Sequence, residues 1–160
     1  MTRSFCLFAC LGLVLGGCGL FGGGASSSAM ETPELPPGPV AVTLVGQADM
    51  NGGGNAARLY LYPLGSDAAF LATPLRAFWD DPEGALGDDL TGSVRDATVR
   101  PGSATDLEEV TLAGAPFLGI AADLRQPDGD RWRAVLPASQ VRGKALRITV
   151  SEGGIAVVAE

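Results

Sequence analysis

Between Gly22 and Pro39 the chain reads GGGASSSAMETPELPPGP, a stretch with hardly any large apolar side chain. Such a stretch cannot build a core, because buried apolar surface is what offsets the entropy lost in ordering a backbone. It therefore divides the chain into two parts with different fates. Before it, Phe5 to Phe21 is almost wholly apolar; after it, from Val40 onward, apolar residues return in short alternating runs. An ordered domain is expected over residues 40–160, about 120 residues, a common size for one domain.

Period-two alternation between turn residues argues for strands. The first run is Val40 to Val45, and the second is Arg58-Leu59-Tyr60-Leu61-Tyr62, with leucines on one face and Arg/Tyr on the other. Further strands are expected at Ser93–Val99, Glu109–Leu112 and Phe117–Leu124. The clearest hairpin turns at Pro127-Asp128-Gly129, where proline presets φ, aspartate caps and glycine accepts positive φ. Across it Leu118, Ile120, Ala122 and Leu124 can meet Trp132, Ala134 and Leu136, which points Trp132 into a sandwich interior. Arg131 and Arg133 then face outward toward nearby carboxylates. Lys144–Val150 and Gly154–Val158 form a last hairpin across Glu152-Gly153. One segment departs from this pattern: Phe70, Leu71, Leu75, Phe78 and Trp79 recur near helical spacing, and Leu86 and Leu90 follow Pro82. Ser66 or Asp67 suits a helix N-cap, and Pro74 must kink or restart the helix. The expected fold is mainly β, a β-sandwich of seven or eight strands with a short helical insertion after strand 2, at about residues 67–90.

The chemistry available to this domain is narrow. Histidine is absent, which removes the commonest general base and the commonest metal ligand. All three cysteines, Cys6, Cys10 and Cys18, precede the domain. Gly143-Lys144 lacks the glycine and Ser/Thr of a phosphate loop, and Asp128-Gly129-Asp130 lacks the upstream ligands of a calcium loop. Carboxylate clusters at Asp80-Asp81-Pro82-Glu83, Asp88-Asp89 and Asp106-Glu108-Glu109 read as solvated loops and helix starts rather than a glycosidase pair. No catalytic residue, metal or cofactor is expected. With 18 acidic against 11 basic residues the formal charge is −7, which repels nucleic-acid backbones. No small-molecule substrate is expected either.

The first residues carry a different signal. Gly17-Cys18-Gly19-Leu20-Phe21-Gly22 fits the G-x-G-x-x-G pattern, but a dinucleotide loop needs a strand before it and a helix after it, and here the Gly/Ser-rich stretch follows. A spanning helix would need ~20 apolar residues with fewer glycines; one followed by a periplasmic domain is the alternative. Arg3, the apolar run CLFACLGLVL and the small residues beyond it compose a bacterial secretory signal. Leu15-Gly16-Gly17-Cys18 resembles the lipobox of bacterial lipoproteins: an aliphatic residue, two small ones, then the cysteine whose thiol takes a diacylglyceryl group and whose freed amine is acylated. Cys10 is the poorer acceptor, since bulky Phe8 stands where a small residue is needed. The expected organisation is a signal peptide at 1–17, a lipidated N-terminus and flexible tether at 18–39, and the domain at 40–160. Gly19 follows the cysteine, where an inner-membrane retention signal would carry aspartate, so the outer membrane facing the periplasm is expected.

Phe117-Leu118-Gly119-Ile120-Ala121-Ala122-Asp123-Leu124-Arg125, continued by Arg131-Trp132-Arg133, resembles a strand pair of the type VI secretion system outer-membrane lipoproteins, the TssJ (SciN-like) family. Val99-Arg100-Pro101-Gly102, the strand Arg58 to Leu64, Asn51 and the helical segment Phe70 to Leu90 are similar to elements of that family in the same order. The resemblance implies a transthyretin-like β-sandwich that is not an enzyme and that anchors a trans-envelope secretion complex at the outer membrane. It also implies that the loop between the first two strands binds the periplasmic C-terminal domain of the inner-membrane TssM component. Here that loop is Asp49, Met50, Asn51, Gly52, Gly53, Gly54 and Asn55. Read from the residues alone, Met50 offers an adaptable apolar contact and the asparagines offer hydrogen bonds, while an idle flexible hairpin loop is the alternative. A lipid-anchored periplasmic or surface β-sandwich that binds glycan or another envelope protein is the competing reading, and an exposed row of aromatic residues would favour it.

Overall fold

Val40, Val42 and Leu44 are buried, while Ala41, Thr43 and Val45 between them reach the surface wholly or in part, so the first alternating run folds as a half-buried strand. The structure, a computed structural model, describes residues 39–160. Eight strands form two four-stranded sheets. The first contains β1 (Val40–Gly46), β4 (Ala104–Val110), β7 (Ala145–Val150) and β8 (Ile155–Ala159), in the order β4-β1-β7-β8. The second contains β2 (Ala57–Leu64), β3 (Arg95–Val99), β5 (Phe117–Asp123) and β6 (Arg133–Pro137), in the order β3-β2-β5-β6. All pairings are antiparallel except β1 with β7, which run parallel.

Val42, Leu44, Leu146, Ile148 and Val150 from one sheet and Leu59, Leu61, Leu118, Ile120 and Ala122 from the other make the core of the sandwich. Each fully buried Val, Leu or Ile contributes roughly 1.5–3 kcal/mol of transfer free energy. The β5–β6 register matches the expected facing, with Leu118 opposite Leu136 and Ile120 opposite Ala134. The β7–β8 hairpin also forms as expected.

The other face of the second sheet is covered as well. Between β2 and β3 lie α2 (Ala68–Ala72), α3 (Leu75–Asp80), α4 (Pro82–Leu86) and a 3-10 turn (Gly87–Asp89), within the segment expected to be helical. Pro74 ends one helix and begins the next: Thr73 before it is extended (φ −74°, ψ 125°), and Pro74 is the N-cap of α3. Pro82 opens α4, whose N-cap Asp81 accepts the Gly84 N–H at 3.0 Å. The Ser66 hydroxyl accepts the Ala68 N–H at 3.2 Å. These helices press Phe70, Phe78 and Trp79 onto Tyr60 and Tyr62, the off-core residues of β2. Gly119, opposite Tyr62, makes room for them. A Cβ there would lie 2.7 Å from Leu64 Cδ1 and 3.3 Å from Phe70 Cε2.

Several expectations need correction. Trp132 is fully buried, but against the helices rather than between the sheets: its ring lies 5.1 Å from Phe78, 5.8 Å from Trp79 and 6.5 Å from Phe70. It occupies the turn before β6, outside the pleat, where period-two alternation does not govern direction. Arg131 pairs with Asp128 at the surface, as expected, but Arg133 is only 8% exposed. Besides Asp130 at 2.9 Å, its guanidinium donates to the carbonyl of Phe70 and to that of Thr73 at 2.7 Å, closing the C-terminal end of α2. β4 starts at Ala104, five residues before the expected Glu109. It is an edge strand of mixed polarity, broken by a bulge opposite Val40–Val42, so its alternation is weak. The short α5 (Ala138–Val141), which buries Ala138 and Val141, was not expected from the sequence.

Candidate functional site

β1 and β2 belong to different sheets, so residues 47–56 are a crossover between sheets and not the hairpin loop of the alternative reading. Its centre is the single turn α1 (Met50–Gly53), in which Asn51 (φ 50°) and Gly52 (φ 68°) are left-handed. Asparagine tolerates that conformation at lower cost than most residues. Met50 is 0% exposed and Asn51 3%, so neither presents its side chain at the surface. The asparagine side chain instead ties the loop to the rest of the domain. Its Oδ1 accepts the N–H of Arg125 at 2.7 Å, and its Nδ2 donates to the Ala56 carbonyl at 2.7 Å. Asn55 in turn donates to the carbonyls of Asn51 and Gly52 at 3.2 and 3.0 Å.

The backbone continues this stitching. The Asn51 N–H donates to the Ser151 carbonyl at 3.1 Å and the Gly52 N–H to that of Glu152 at 3.2 Å. Asp128 N–H donates to the Gly153 carbonyl at 2.8 Å, and Gly46 N–H to that of Ser103 at 2.8 Å. Four connections, β1–β2, β3–β4, β5–β6 and β7–β8, thus meet at one end of the sandwich. They form a platform with a shallow cleft of about 420 Å³, lined by Asp49, Gly52, Gln126, Asp128, Arg131 and Glu152 among others. Asp49, Gly52, Gly53 and Gly54 are exposed and Asn55 is half-buried. The lining carries three carboxylates against one guanidinium, and the Arg131–Asp128 pair at 3.3 Å is exposed on both sides and contributes ~0–1 kcal/mol. The platform is a polar, mildly acidic surface whose loops are joined by hydrogen bonds. Among the described residues no group of three or more His, Cys, Asp or Glu could hold a metal ion.

Of the loop residues singled out from the sequence, Asp49, Gly52, Gly53, Gly54 and Asn55 lie on this platform, while Met50 and Asn51 shape it from beneath. Sequence reasoning did not identify Gln126, Asp128 or Glu152 as members of the same surface. Pro127-Asp128-Gly129 and Glu152-Gly153 were legible as turns, but nothing local places them beside residue 50. The signal peptide expected at 1–17, the expected acyl acceptor Cys18 and the tether expected at 18–39, apart from its last residue, lie outside the described residues.

The role given to Asn51 has a direct test. Asn51→Ala leaves the Arg125 N–H and the Ala56 carbonyl without their partners and keeps a left-handed residue that has lost its local compensation. A loss of about 2–4 kcal/mol in denaturant unfolding is expected. A loss below ~0.5 kcal/mol would show that the loop does not depend on these bonds.

The comparisons with known proteins agree with this architecture. The family described as type VI secretion lipoprotein (VasD, EvfM, TssJ) matches residues 39–153. The crystal structure of the type VI secretion lipoprotein TssJ1 from Pseudomonas aeruginosa is 32% identical, with a TM-score of 0.68 over 78% of this chain and 98% of that one. A chain in a structure described as a type VI membrane complex is 20% identical, with a TM-score of 0.68 over 76% and 98%. A structure described as the type VI secretion protein TssM C-terminal domain from EAEC is 19% identical, with a TM-score of 0.64 over 76% and 98%. These two likenesses concern the fold. No curated protein matches the sequence.

Proposed function

The chain belongs to the type VI secretion lipoprotein family of TssJ, and from that premise we propose that it anchors a type VI secretion membrane complex at the outer membrane. In this reading residues 1–17 are removed and Cys18 carries a diacylglyceryl group and an N-acyl chain. Residues 18–39 tether the domain, about 25 Å as a random coil. The domain of residues 40–160 faces the periplasm and is an adaptor, not an enzyme. Its partner is the periplasmic C-terminal domain of an inner-membrane TssM-like protein, bound on the platform through Asp49, Gly52, Gly53, Gly54 and Asn55.

The observation that carries the platform is the hydrogen-bonded seam from Asn51 and Gly52 to Ser151, Glu152 and Arg125. A glycine-rich loop held this way has already been ordered by folding, so partner binding does not bear the entropic cost of ordering three glycines. The fold likeness to chains in structures described as a type VI membrane complex and a TssM C-terminal domain supports the partner class. The glycan reading needed an exposed aromatic row. Tyr60, Tyr62, Phe70, Phe78, Trp79 and Trp132 are instead packed on one another beneath the helices.

Photo-crosslinking tests the assignment. A photoreactive residue in place of Asp49 or Asp128 should capture the TssM-like periplasmic domain in cells. The same residue in place of Ser139, on the β6–β7 connection at the opposite end, should not. Capture from Ser139 alone, or from none of the three, would move or remove the interface.

A further inference from the structure

Two of the four connections on the platform approach each other more closely than side chains normally allow. The β5–β6 connection lies against the β7–β8 turn, where the Asp128 N–H donates to the Gly153 carbonyl and the Ile155 N–H to the Arg131 carbonyl, both at 2.8 Å. The Ser151 N–H donates to the Gly154 carbonyl at 2.8 Å, which closes the turn around Glu152 and Gly153. Gly154 stands after that turn, at the entry to β8, where turn chemistry does not call for glycine. Neither Gly153 nor Gly154 has a positive φ, so the left-handed backbone that favours glycine is not what places it at either position.

Space excludes a side chain there. A Cβ on Gly154 would lie 2.7 Å from Arg131 Cβ, 3.0 Å from its Nε and 3.2 Å from its carbonyl oxygen. The Nε can swing aside, but the Cβ and the carbonyl move only with the backbone of the β5–β6 connection. Non-bonded carbons rest at ~3.5–4.0 Å, so that backbone would have to retreat by roughly 1 Å. A Cβ on Gly153 would meet Asp128 Cβ at 3.3 Å and the Gln126 carbonyl at 3.4 Å, a milder crowding of the same connection. Gln126, Asp128 and Arg131 from this connection and Glu152 from the other line the platform cleft together. The Gly52 N–H is bonded to the Glu152 carbonyl at 3.2 Å, so the same spacing also sets the glycine loop against Asp128.

We propose that Gly154, assisted by Gly153, is a positioning residue for partner recognition, an inference that rests on the platform being the partner site. Gly154 need touch no partner. Its missing side chain sets how far Asp128 and Arg131 stand from Glu152, and so fixes the width of the cleft the partner meets. Binding groups must be held within roughly 0.5 Å of their working positions, and a retreat of roughly 1 Å exceeds that. Gly65, at the far end of β2 from the platform, offers a matched control. It too lacks a positive φ, and a Cβ there would lie 2.9 Å from Thr91 Cγ2.

Titration of the TssM-like periplasmic domain into the full chain tests this, with denaturant unfolding run on each variant to confirm that it is folded at the titration temperature. Gly154→Ala should bind at least about tenfold more weakly and the less crowded Gly153→Ala severalfold, while Gly65→Ala stays within about twofold of the native chain. Gly153→Ala carries the test should Gly154→Ala not fold. In an Arg131→Gly background, where the crowded Cβ and Nε are gone, adding Gly154→Ala should change affinity by less than about twofold, because the two residues act through one contact. In the free protein, amide NMR should show shifts for Gly154→Ala concentrated at residues 126–131. Native-like binding by Gly154→Ala, equal weakening by Gly154→Ala and Gly65→Ala, an undiminished loss in the Arg131→Gly background, or no shifts at residues 126–131 would each overturn the positioning role while leaving the platform in place. Failure of the native chain itself to bind would instead remove the platform as the partner site, and this role with it.

Discussion

Trp132→Ala is expected to destabilise the domain by about 3–5 kcal/mol in denaturant unfolding. Its indole is fully buried and touches the rings of Phe70, Phe78 and Trp79 together, so its removal opens a cavity where the helical layer meets the second sheet. Collapse of the neighbouring rings into that space is limited because Phe70 and Phe78 are themselves packed on Tyr62. Arg133, whose guanidinium carbon lies 4.8 Å from the Trp132 ring centroid, holds the carbonyls of Phe70 and Thr73. Trp132→Phe keeps part of the packing and should cost about half as much. A loss below ~1 kcal/mol for the alanine variant would mean that the helical layer is not part of the cooperative unit. The Trp132-Arg133 pair is thus a structural clamp between insertion and sheet, which explains why both side chains turn away from solvent despite the charged sequence around them.

Cys18→Ser should move the protein from the membrane pellet to the soluble periplasmic fraction. Acyl chains contribute ~0.8 kcal/mol per buried CH₂; one chain holds a protein only marginally, whereas several hold it durably. The change is therefore close to all-or-none. Among the described residues no helix is long and apolar enough to cross a membrane. Substituting Cys10 instead should leave the distribution unchanged. If the Cys18→Ser protein stays with the membrane, the lipid anchor proposed at this position is wrong, and the apolar run before it becomes the candidate anchor.

Much of this architecture was legible in the residues, and the failures have physical causes. Alternation located the strands and paired β5 with β6 and β7 with β8, because hairpins join neighbours in sequence and their turns carry their own residue signals. Alternation reports which face a residue occupies, not which strand lies beside it. The parallel pairing of β1 with β7, which sets Gly46 opposite Val150, joins segments far apart in the chain. That pairing delivers Ser151 and Glu152 to Asn51 and Gly52, so the platform could not be assembled from local patterns. Met50 shows the same limit from the other side. Within a run of Asn and Gly an apolar residue reads as an exposed contact, yet its sulfur packs close to Gly46, so close that a Cβ on that glycine would lie 2.6 Å from it. The resemblance to the lipoprotein family singled out this loop segment, but the division within it, buried Met50 and Asn51 beneath exposed Asp49 and glycines, emerges only in three dimensions.

The division matters for the decisive measurement, since replacing the whole loop would also remove Asn51 and confuse unfolding with lost binding. The exposed carboxylates Asp49 and Glu152 can be reversed without touching the seam. Titration of the TssM-like periplasmic domain into the full chain should then be compared for the native protein, for Asp49→Lys with Glu152→Lys, and for Lys144→Glu at the opposite end. The platform variant is expected to bind at least about tenfold more weakly, equivalent to ~1.4 kcal/mol, while the Lys144 variant binds like the native chain. Equal affinity for all three proteins would contradict the assignment of the platform as the partner site.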